Sequence, residues 1–134
     1  MSLEKAIAQA QATVPECVAA GYVDMSTGML LAVRTVDSHP SEVLDLVSAA
    51  TADLFQGSNV VAIEQLFKQS RGMPADNHHF FKEILVLSDN LIHVFLRGKK
   101  HTNHALVLVT RASANIGMVI VKSRAAITAV EAAV

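Results

Sequence analysis

The sequence has no tryptophan, and aromatic residues make up only 4% of its 134 residues. A core with so few large rings must be filled by aliphatic side chains, and the chain supplies them, since 51% of its residues are hydrophobic. Charged residues are also scarce, at 17% against about 25% in ordinary soluble domains. This surplus of apolar over charged residues predicts that some apolar surface is covered by association with another chain.

Further absences limit where the protein works. A single cysteine, Cys17, excludes an internal disulfide and fits a reducing compartment. No apolar run reaches the roughly 18 residues of a membrane helix, and the N-terminus lacks the apolar stretch of a signal peptide. The net charge of −1 creates no field that favours nucleic acid or an anionic membrane. We therefore expect a cytoplasmic protein without a nucleic-acid partner or membrane insertion, folded as a single domain over residues 1–134.

Three strands follow one another in residues 80–110. The segments read FFKEILVLS, LIHVFLR and HALVLVTR, and only Asp89 and Asn90 separate the first two. So short a link forces an antiparallel hairpin, because parallel strands need a crossover of about a dozen residues or more. Each strand is apolar on both faces, whereas an antiparallel sheet normally leaves one face polar. The sheet must be covered on both sides, which favours an interaction scaffold over an enzyme with a pocket.

Helices separate these strands from an earlier hairpin. Gly28 can supply the positive φ of a turn between strands at residues 16–24 and 29–36. The predicted helices cover residues 2–13, capped by Ser2; 41–55, capped by Ser38 or Ser41; 59–69, with Val60, Ile63, Leu66 and Phe67 apolar; and 115–132, capped by Ser113 or Asn115. Hairpins separated by helices predict an α+β fold with an antiparallel sheet.

Three segments, in this order, resemble the roadblock / dynein light chain family. The first is the hairpin GYVDMSTGMLLAV at residues 21–33, and the second is the long central helix PSEVLDLVSAATADLF. The third is the strand meander followed by Asn115-Ile116-Gly117, which is similar to the asparagine–apolar–glycine start of the family's last helix. The resemblance covers residues 3–132. The chain departs from it at residues 59–69, a helical stretch longer than compact members need.

The resemblance implies a profilin-like fold, in which a five-stranded antiparallel sheet carries helices on both faces. It also implies a homodimer, in which the third strand pairs with its twin and the central helices pack across the two-fold axis. Family members are non-catalytic regulators or scaffolds. Bacterial members bind small Ras-like GTPases and stimulate their hydrolysis, and eukaryotic members sit in dynein and in lysosomal signalling complexes. No catalytic residue and no cofactor are implied.

Carried onto this chain, the resemblance places residues 82–87 at a sheet edge. The dimer interface that it implies comprises Val43, Val47, Ala50, Leu54, Glu83, Leu85 and Leu87. The residues agree in part on physical grounds, because an unpaired strand reading ILVL at residues 84–87 would invite aggregation. Pairing with a second copy removes that hazard, and two-fold dimers are the commonest oligomers. The alternative is that this strand is central and covered by a helix layer on each face.

Histidine invites a metal hypothesis, since the chain has six. If Arg97 lies opposite His104 in the hairpin, His93 lies opposite Leu108, and the two histidines stand about 13 Å apart along the strand. They cannot share an ion, whose bonds to histidine nitrogen are about 2 Å long. We expect solvated or hydrogen-bonded histidines and no metal. Nothing in the sequence places a base beside Cys17, so we expect a small buried residue rather than a nucleophile.

The loop after the fourth strand is basic. Arg97, Lys99 and Lys100 could form a patch for an acidic partner, and the simpler interpretation is a charged hairpin loop. A P-loop is excluded because the segment joins two strands and because His101, rather than Ser or Thr, follows the lysines.

The leading hypothesis is a non-catalytic, homodimeric regulatory or scaffold module that binds a small Ras-like GTPase or a signalling assembly. The alternative is a small-molecule or haem-binding sensor on a profilin-like fold, motivated by the histidines and by the hairpin from Asp24 to Gly28. A third hypothesis is an enzyme that uses Cys17 or a histidine.

Overall fold

The computed structural model describes residues 1–36, 41–76 and 78–134, and for residues 41–45 it describes the backbone alone. The elements are α1 (Leu3–Thr13), β1 (Cys17–Asp24), β2 (Met29–Thr35), α2 (Ser41–Gln56), α3 (Ser58–Ser70), β3 (Glu83–Leu87), β4 (Leu91–Arg97), β5 (His104–Arg111) and α4 (Ile116–Ala132). In the described part of the chain, no helix is long and apolar enough to cross a membrane.

The strands form one antiparallel sheet in the order β2-β1-β5-β4-β3. The chain therefore places β3 at one edge and β2 at the other, with β4 and β5 inside. A register shift between Tyr22 and Val23 interrupts the pairing of β1 with β2. This architecture confirms the predicted α+β fold with helices on both faces of the sheet.

One face of the sheet is covered by α1 and α4 together. The stripe on α4 follows helical spacing, with Val119, Ile127 and Val130 buried, and α1 contributes Ile7 and Ala10. Their side chains pack on the alternate, inward-facing residues of four strands: Ala20, Tyr22, Ala32, Ile92, Val94, Leu96, Leu106 and Leu108. This is the main core, and it contains most of the buried aliphatic side chains that replace aromatic ones.

The other face is covered by α2, and the cluster there is smaller. Phe55, near the end of α2, is fully buried against residues of β1, β4 and β5: Val23, Phe95, Ala105 and Val107. Leu30, Ala52 and Ile84 are partly buried around it. Ser48 and Thr51 of α2 are fully buried as well, so the described part of the helix is anchored along this sheet face.

Local sequence signals are confirmed where helices begin and where the first hairpin turns. Ser2 accepts a hydrogen bond from the backbone N–H of Lys5 at 3.2 Å, and Asn115 accepts one from that of Met118 at 3.1 Å. Gly28 turns the first hairpin at a φ of 74°. The cap proposed for the central helix, Ser38 or Ser41, lies outside the residues whose side chains are described.

One strand boundary and one pairing register of the strand meander differ from those used in the sequence-based prediction. The third strand begins at Glu83 rather than at residue 80, because the preceding segment is held by side chains of α3. In the following hairpin Arg97 faces Ala105, and His93 faces Val109, one residue away from the expected register. The loop closes through a hydrogen bond from the Gly98 N–H to the carbonyl of His104, which fixes this register.

Candidate protein interface

Strand β3 offers an open, apolar sheet edge. It pairs with β4 from Glu83 opposite Leu96 to Leu87 opposite Ile92, and in the described chain it has no strand neighbour on its other side. Leu85 and Val86 are exposed, and Leu87 is 64% exposed. The free backbone N–H and C=O groups of such an edge can pair with another strand. The sheet thus has its third strand at an edge, as the family resemblance implied.

Helix α2 carries a second apolar surface. Its side chains at Leu46, Val47, Ala50 and Leu54 are exposed, with Leu46 exposed by 72%. Asp53 is the one charged residue between Leu46 and Gln56. Three of the α2 residues predicted to meet a second copy are therefore exposed like the β3 edge, while the side chain of Val43 lies outside the described residues.

Helix α3 buries its charged residues and exposes apolar ones, which is the reverse of an ordinary amphipathic helix. Its two charged residues, Glu64 and Lys68, are each 2% exposed, whereas Ile63 and Leu66 are among its most exposed. A surface helix normally buries its apolar stripe and exposes its charges. The apolar residues at 63 and 66 that the sequence analysis placed on this helix thus point away from the body of the protein, together with exposed residues of α2.

The buried charges of α3 hold the segment that leads into β3. Glu64 accepts a hydrogen bond from the Phe80 N–H at 2.6 Å and contacts Nδ1 of His79 at 2.8 Å. Lys68 Nζ donates to the carbonyls of Asp76 and His78 at 3.0 and 2.6 Å. Burial acts to raise the pKa of Glu64, but the hydrogen bonds from His79 and Phe80 outweigh it and leave that pKa below its ordinary value.

Arg97 connects α2 to the same segment. Its Nε donates to the carbonyl of Phe81 at 2.8 Å, and its Nη2 donates to that of Phe55 at 3.0 Å. Nη1 donates to Oε1 of Gln56 at 3.0 Å and to the carbonyl of Thr102 at 3.1 Å. Arg97 is 5% exposed, so its place in the predicted partner patch is corrected: its donors are used inside the protein.

Comparison with solved structures identifies this arrangement of sheet and helices. A roadblock/LC7 domain from Streptomyces avermitilis superposes with a TM-score of 0.67 at 12% identity, covering 98% of this chain and 97% of that one. The chain has the roadblock fold. The gliding protein MglB from Thermus thermophilus is similar with a TM-score of 0.68 at 19% identity, covering 99% of this chain and 91% of that one. Myxococcus xanthus MglB is similar with a TM-score of 0.67 at 12% identity, covering 95% and 89%.

Sequence comparison alone does not reach this result. No protein-family model matches the chain, and no curated protein matches it. The resemblance inferred from the hairpin, the central helix and the Asn115 cap is nevertheless confirmed at the level of the fold. Order and spacing of elements carried that inference, since identity to the roadblock structures is 12–19%.

The basic loop of this roadblock fold is anchored by a carboxylate that the sequence analysis did not single out. Glu131, on α4, accepts hydrogen bonds from the backbone N–H groups of Lys99, Lys100 and His101 at 2.9, 2.8 and 2.8 Å. Gly98 is required here, because a Cβ would lie 2.3 Å from the carbonyl oxygen of His101. The side chains of Lys99 and Lys100 remain exposed, so two of the three patch residues lie at the surface. The sequence did contain a signal for this role, because Glu131 is an acidic residue that helical spacing places among the buried residues of α4.

Among the described histidines of the roadblock fold, His101 and His104 stack with their ring centroids 5.2 Å apart. His93 contacts Oγ of Ser88 at 3.3 Å, and His104 contacts the hydroxyl of Tyr22 at 3.0 Å. Within the described residues, no three His, Cys, Asp or Glu side chains are grouped closely enough to hold a metal ion. Cys17 is buried, its Sγ lies 3.1 Å from the carbonyl of Ala19, and burial raises its pKa. A thiol in that state is a poor nucleophile.

Proposed function

We propose that this protein is a non-catalytic, homodimeric regulatory module of the cytoplasm that presents its surface to another protein. The observation that carries the proposal is the open β3 edge together with the exposed apolar residues of α2 and α3. Contiguous apolar surface of this kind marks an interaction site in a protein that stays in solution. An edge strand with free backbone groups favours a partner that supplies a strand of its own.

A second copy of the chain supplies such a strand. Two β3 strands related by a two-fold axis would join the two sheets into one, with Glu83, Leu85 and Leu87 on one face of the seam. Val47, Ala50 and Leu54 of α2 would then approach their counterparts, as would Val43. Symmetric dimers of this kind are the commonest oligomers, and they remove the exposed edge.

Helix α3 extends the proposed dimer surface beyond the residues expected from the sequence. Ile63 and Leu66 are apolar and exposed, and α3 is fixed by Glu64 and Lys68 to the segment that enters β3. Its outer face therefore has a defined position beside the seam. Covering one large aliphatic side chain contributes about 1.5–3 kcal/mol, so two such residues per copy add appreciably to dimer affinity.

The client we propose is a small Ras-like GTPase or a signalling assembly. Support comes from the roadblock fold and from the bacterial members of the family that the sequence resembles. The exposed Lys99 and Lys100 provide a basic contact point for an acidic surface of that client. Presenting a rigid dimeric surface requires no reacting side chain and no cofactor.

Sedimentation velocity at micromolar concentration tests the dimer. The wild type should sediment as a dimer, and Leu85→Asp should give monomer, because it places a charge in the continuous sheet. Val121→Asp, the same kind of change at an exposed apolar residue of α4, serves as the matched control and should remain dimeric. A monomeric wild type, or a dimeric Leu85→Asp, would refute the seam.

Affinity capture from the native cell tests the proposed client. The wild-type protein should recover a small GTPase, and recovery of no GTPase would contradict this client.

A further inference from the structure

The sheet face under α2 contains a groove that the proposed dimer seam does not use. Its volume is about 480 Å³, within the range of about 300–1,000 Å³ typical of small-molecule sites. β3 contributes no residue to its lining, and of the proposed interface residues whose side chains are described only Val47 does so. The groove adjoins the cluster around Phe55, with which it shares Val23 and Val107.

The floor of the groove is apolar and is built from three neighbouring strands. Ala19 of β1 lies beside Val109 of β5, which lies beside His93 of β4. In the next row, Gly21 lies beside Val107. The small side chains of β1 leave room above them, and Val33 and Val47 complete the sides of the groove.

One end of the groove is positively charged. Arg111 lines it at the end of β5, opposite Leu91 of β4, and its side chain is exposed. No ion pair between described side chains includes Arg111, and the nearby carboxylate of Glu16 accepts instead from Oγ of Ser113 at 2.7 Å. Burial lowers the pKa of His93, so its ring is neutral at pH 7 and serves as a hydrogen-bonding group.

We propose that this groove binds a free, single-chain carboxylic acid, with its alkyl chain along Ala19 and Val109 and its carboxylate on Arg111. A guanidinium matches a carboxylate with two parallel hydrogen bonds. A phosphate or a nucleotide fits less well, because Arg111 is the one cationic side chain among the described lining residues and most of the others are apolar, with Thr35, Ser48 and His93 as the polar exceptions. This ligand site is additional to protein binding and does not depend on the client.

Isothermal titration calorimetry with octanoate, decanoate and dodecanoate tests the proposal. Wild type should bind one acid per chain, and affinity should rise by up to about fourfold for each added methylene group. Decanol, which has the chain without the charge, should bind at least about tenfold more weakly than decanoate. Leu85→Asp should bind like wild type, because β3 does not line the groove, so failure of the dimer does not mask this result.

Variants separate the two ends of the site. Arg111→Ala should weaken decanoate binding by about 10–150-fold, the range for a charged hydrogen bond. Arg34→Ala, the same loss of charge on β2, is the control and should bind normally. Ala19→Leu should abolish binding by filling the groove; Val33→Phe at the sheet edge gives the same test if Ala19→Leu fails to fold.

The contrary results are equally definite. If none of the three acids gives a heat of binding, the proposal is overturned. Equal binding of decanol and decanoate, or an Arg111→Ala variant with wild-type affinity, also overturns it. Binding to vesicles containing phosphatidylglycerol, without binding of the free acids, would assign Arg111 to a membrane surface instead and reject the groove as the site.

Discussion

Oε1 of Glu64 lies 2.8 Å from Nδ1 of His79, and Oε2 of the same carboxylate accepts a hydrogen bond from the Phe80 N–H. Glu64 is only 2% exposed. This contact turns the charged side of α3 toward the interior and its apolar side toward solvent. It also fixes the path of the chain just before β3. The proposed seam therefore depends on a carboxylate that never reaches the surface.

Removing this carboxylate should lower stability in a pH-dependent manner. Glu64→Ala leaves the Phe80 N–H without its acceptor and should cost about 1–3 kcal/mol at pH 7. The pKa of Glu64 is lower in the folded chain than in the unfolded one, so its contribution is complete above pH ~4.3 and lost as pH falls through the folded pKa. Chemical denaturation between pH 7 and 3 gives the free energy of unfolding of wild type and of Glu64→Gln, whose side chain cannot ionise. A difference in unfolding free energy between the two that does not become smaller toward pH 3 would contradict this role of the carboxylate.

Arg97 should behave as a structural residue rather than a partner contact. Arg97→Ala leaves the carbonyls of Phe55 and Phe81 without these donors and should destabilise the fold by about 1–3 kcal/mol for each acceptor left buried and unpaired. Arg97→Lys should recover little, because an ammonium cannot reproduce the planar set of donors. Lys99→Ala, an exposed neighbour, should stay within about 0.5 kcal/mol of wild type in urea unfolding. If Arg97→Ala and Lys99→Ala are equally stable, Arg97 is not a structural residue and is again a candidate partner contact.

Glu131 should protect the loop between β4 and β5. In Glu131→Ala the amides of Lys99, Lys100 and His101 lose their acceptor, so they should exchange with deuterium faster than in wild type. Native-state hydrogen exchange read by mass spectrometry measures these amides together. Peptides from β5 provide the internal control and should exchange more slowly than the loop in both proteins. Unchanged loop exchange would show that the carboxylate does not hold it.

The outer face of α3 should contribute to self-association without contributing to folding. Leu66→Glu changes a side chain that is 65% exposed, so monomer stability should shift by less than about 0.5 kcal/mol. The dimer dissociation constant should rise by about 10–100-fold if Leu66 is covered by the second copy. Sedimentation equilibrium gives that constant, with Val121→Glu as control. An unchanged constant would leave α3 outside the interface and keep β3 and α2 as the proposed contact.

Local patterns predicted much of the fold, because caps and turns are set by residues close in sequence. Ser2, Asn115 and Gly28 act as expected, and the Asp89–Asn90 link joins β3 to β4. The open edge at β3 followed from the family resemblance. Such features need only neighbouring residues, or the order of elements, to be recognised.

The contacts that fix the candidate interface could not be predicted in this way. Arg97 reaches Gln56 across 41 positions, and Glu64 reaches Phe80 across 16. In sequence, Glu64 and Lys68 look like the solvated face of a helix, and Arg97 looks like the start of a basic loop. Backbone groups of distant segments decide which face of α3 turns inward. The spacing of apolar residues within the helix does not reveal those distant groups.

The two edges of the sheet have different consequences for assembly. Beside β2, the register shift at Tyr22 and Val23 disturbs the regular ladder, and Arg34 places a charge on the edge strand. Bulges and charged residues of this kind discourage edge-to-edge pairing. In the proposed dimer both β2 strands lie at the outer ends of the joined sheet. In that dimer, growth of the sheet would stop at two copies, and the outer edges would disfavour fibre formation even though many aliphatic side chains are exposed.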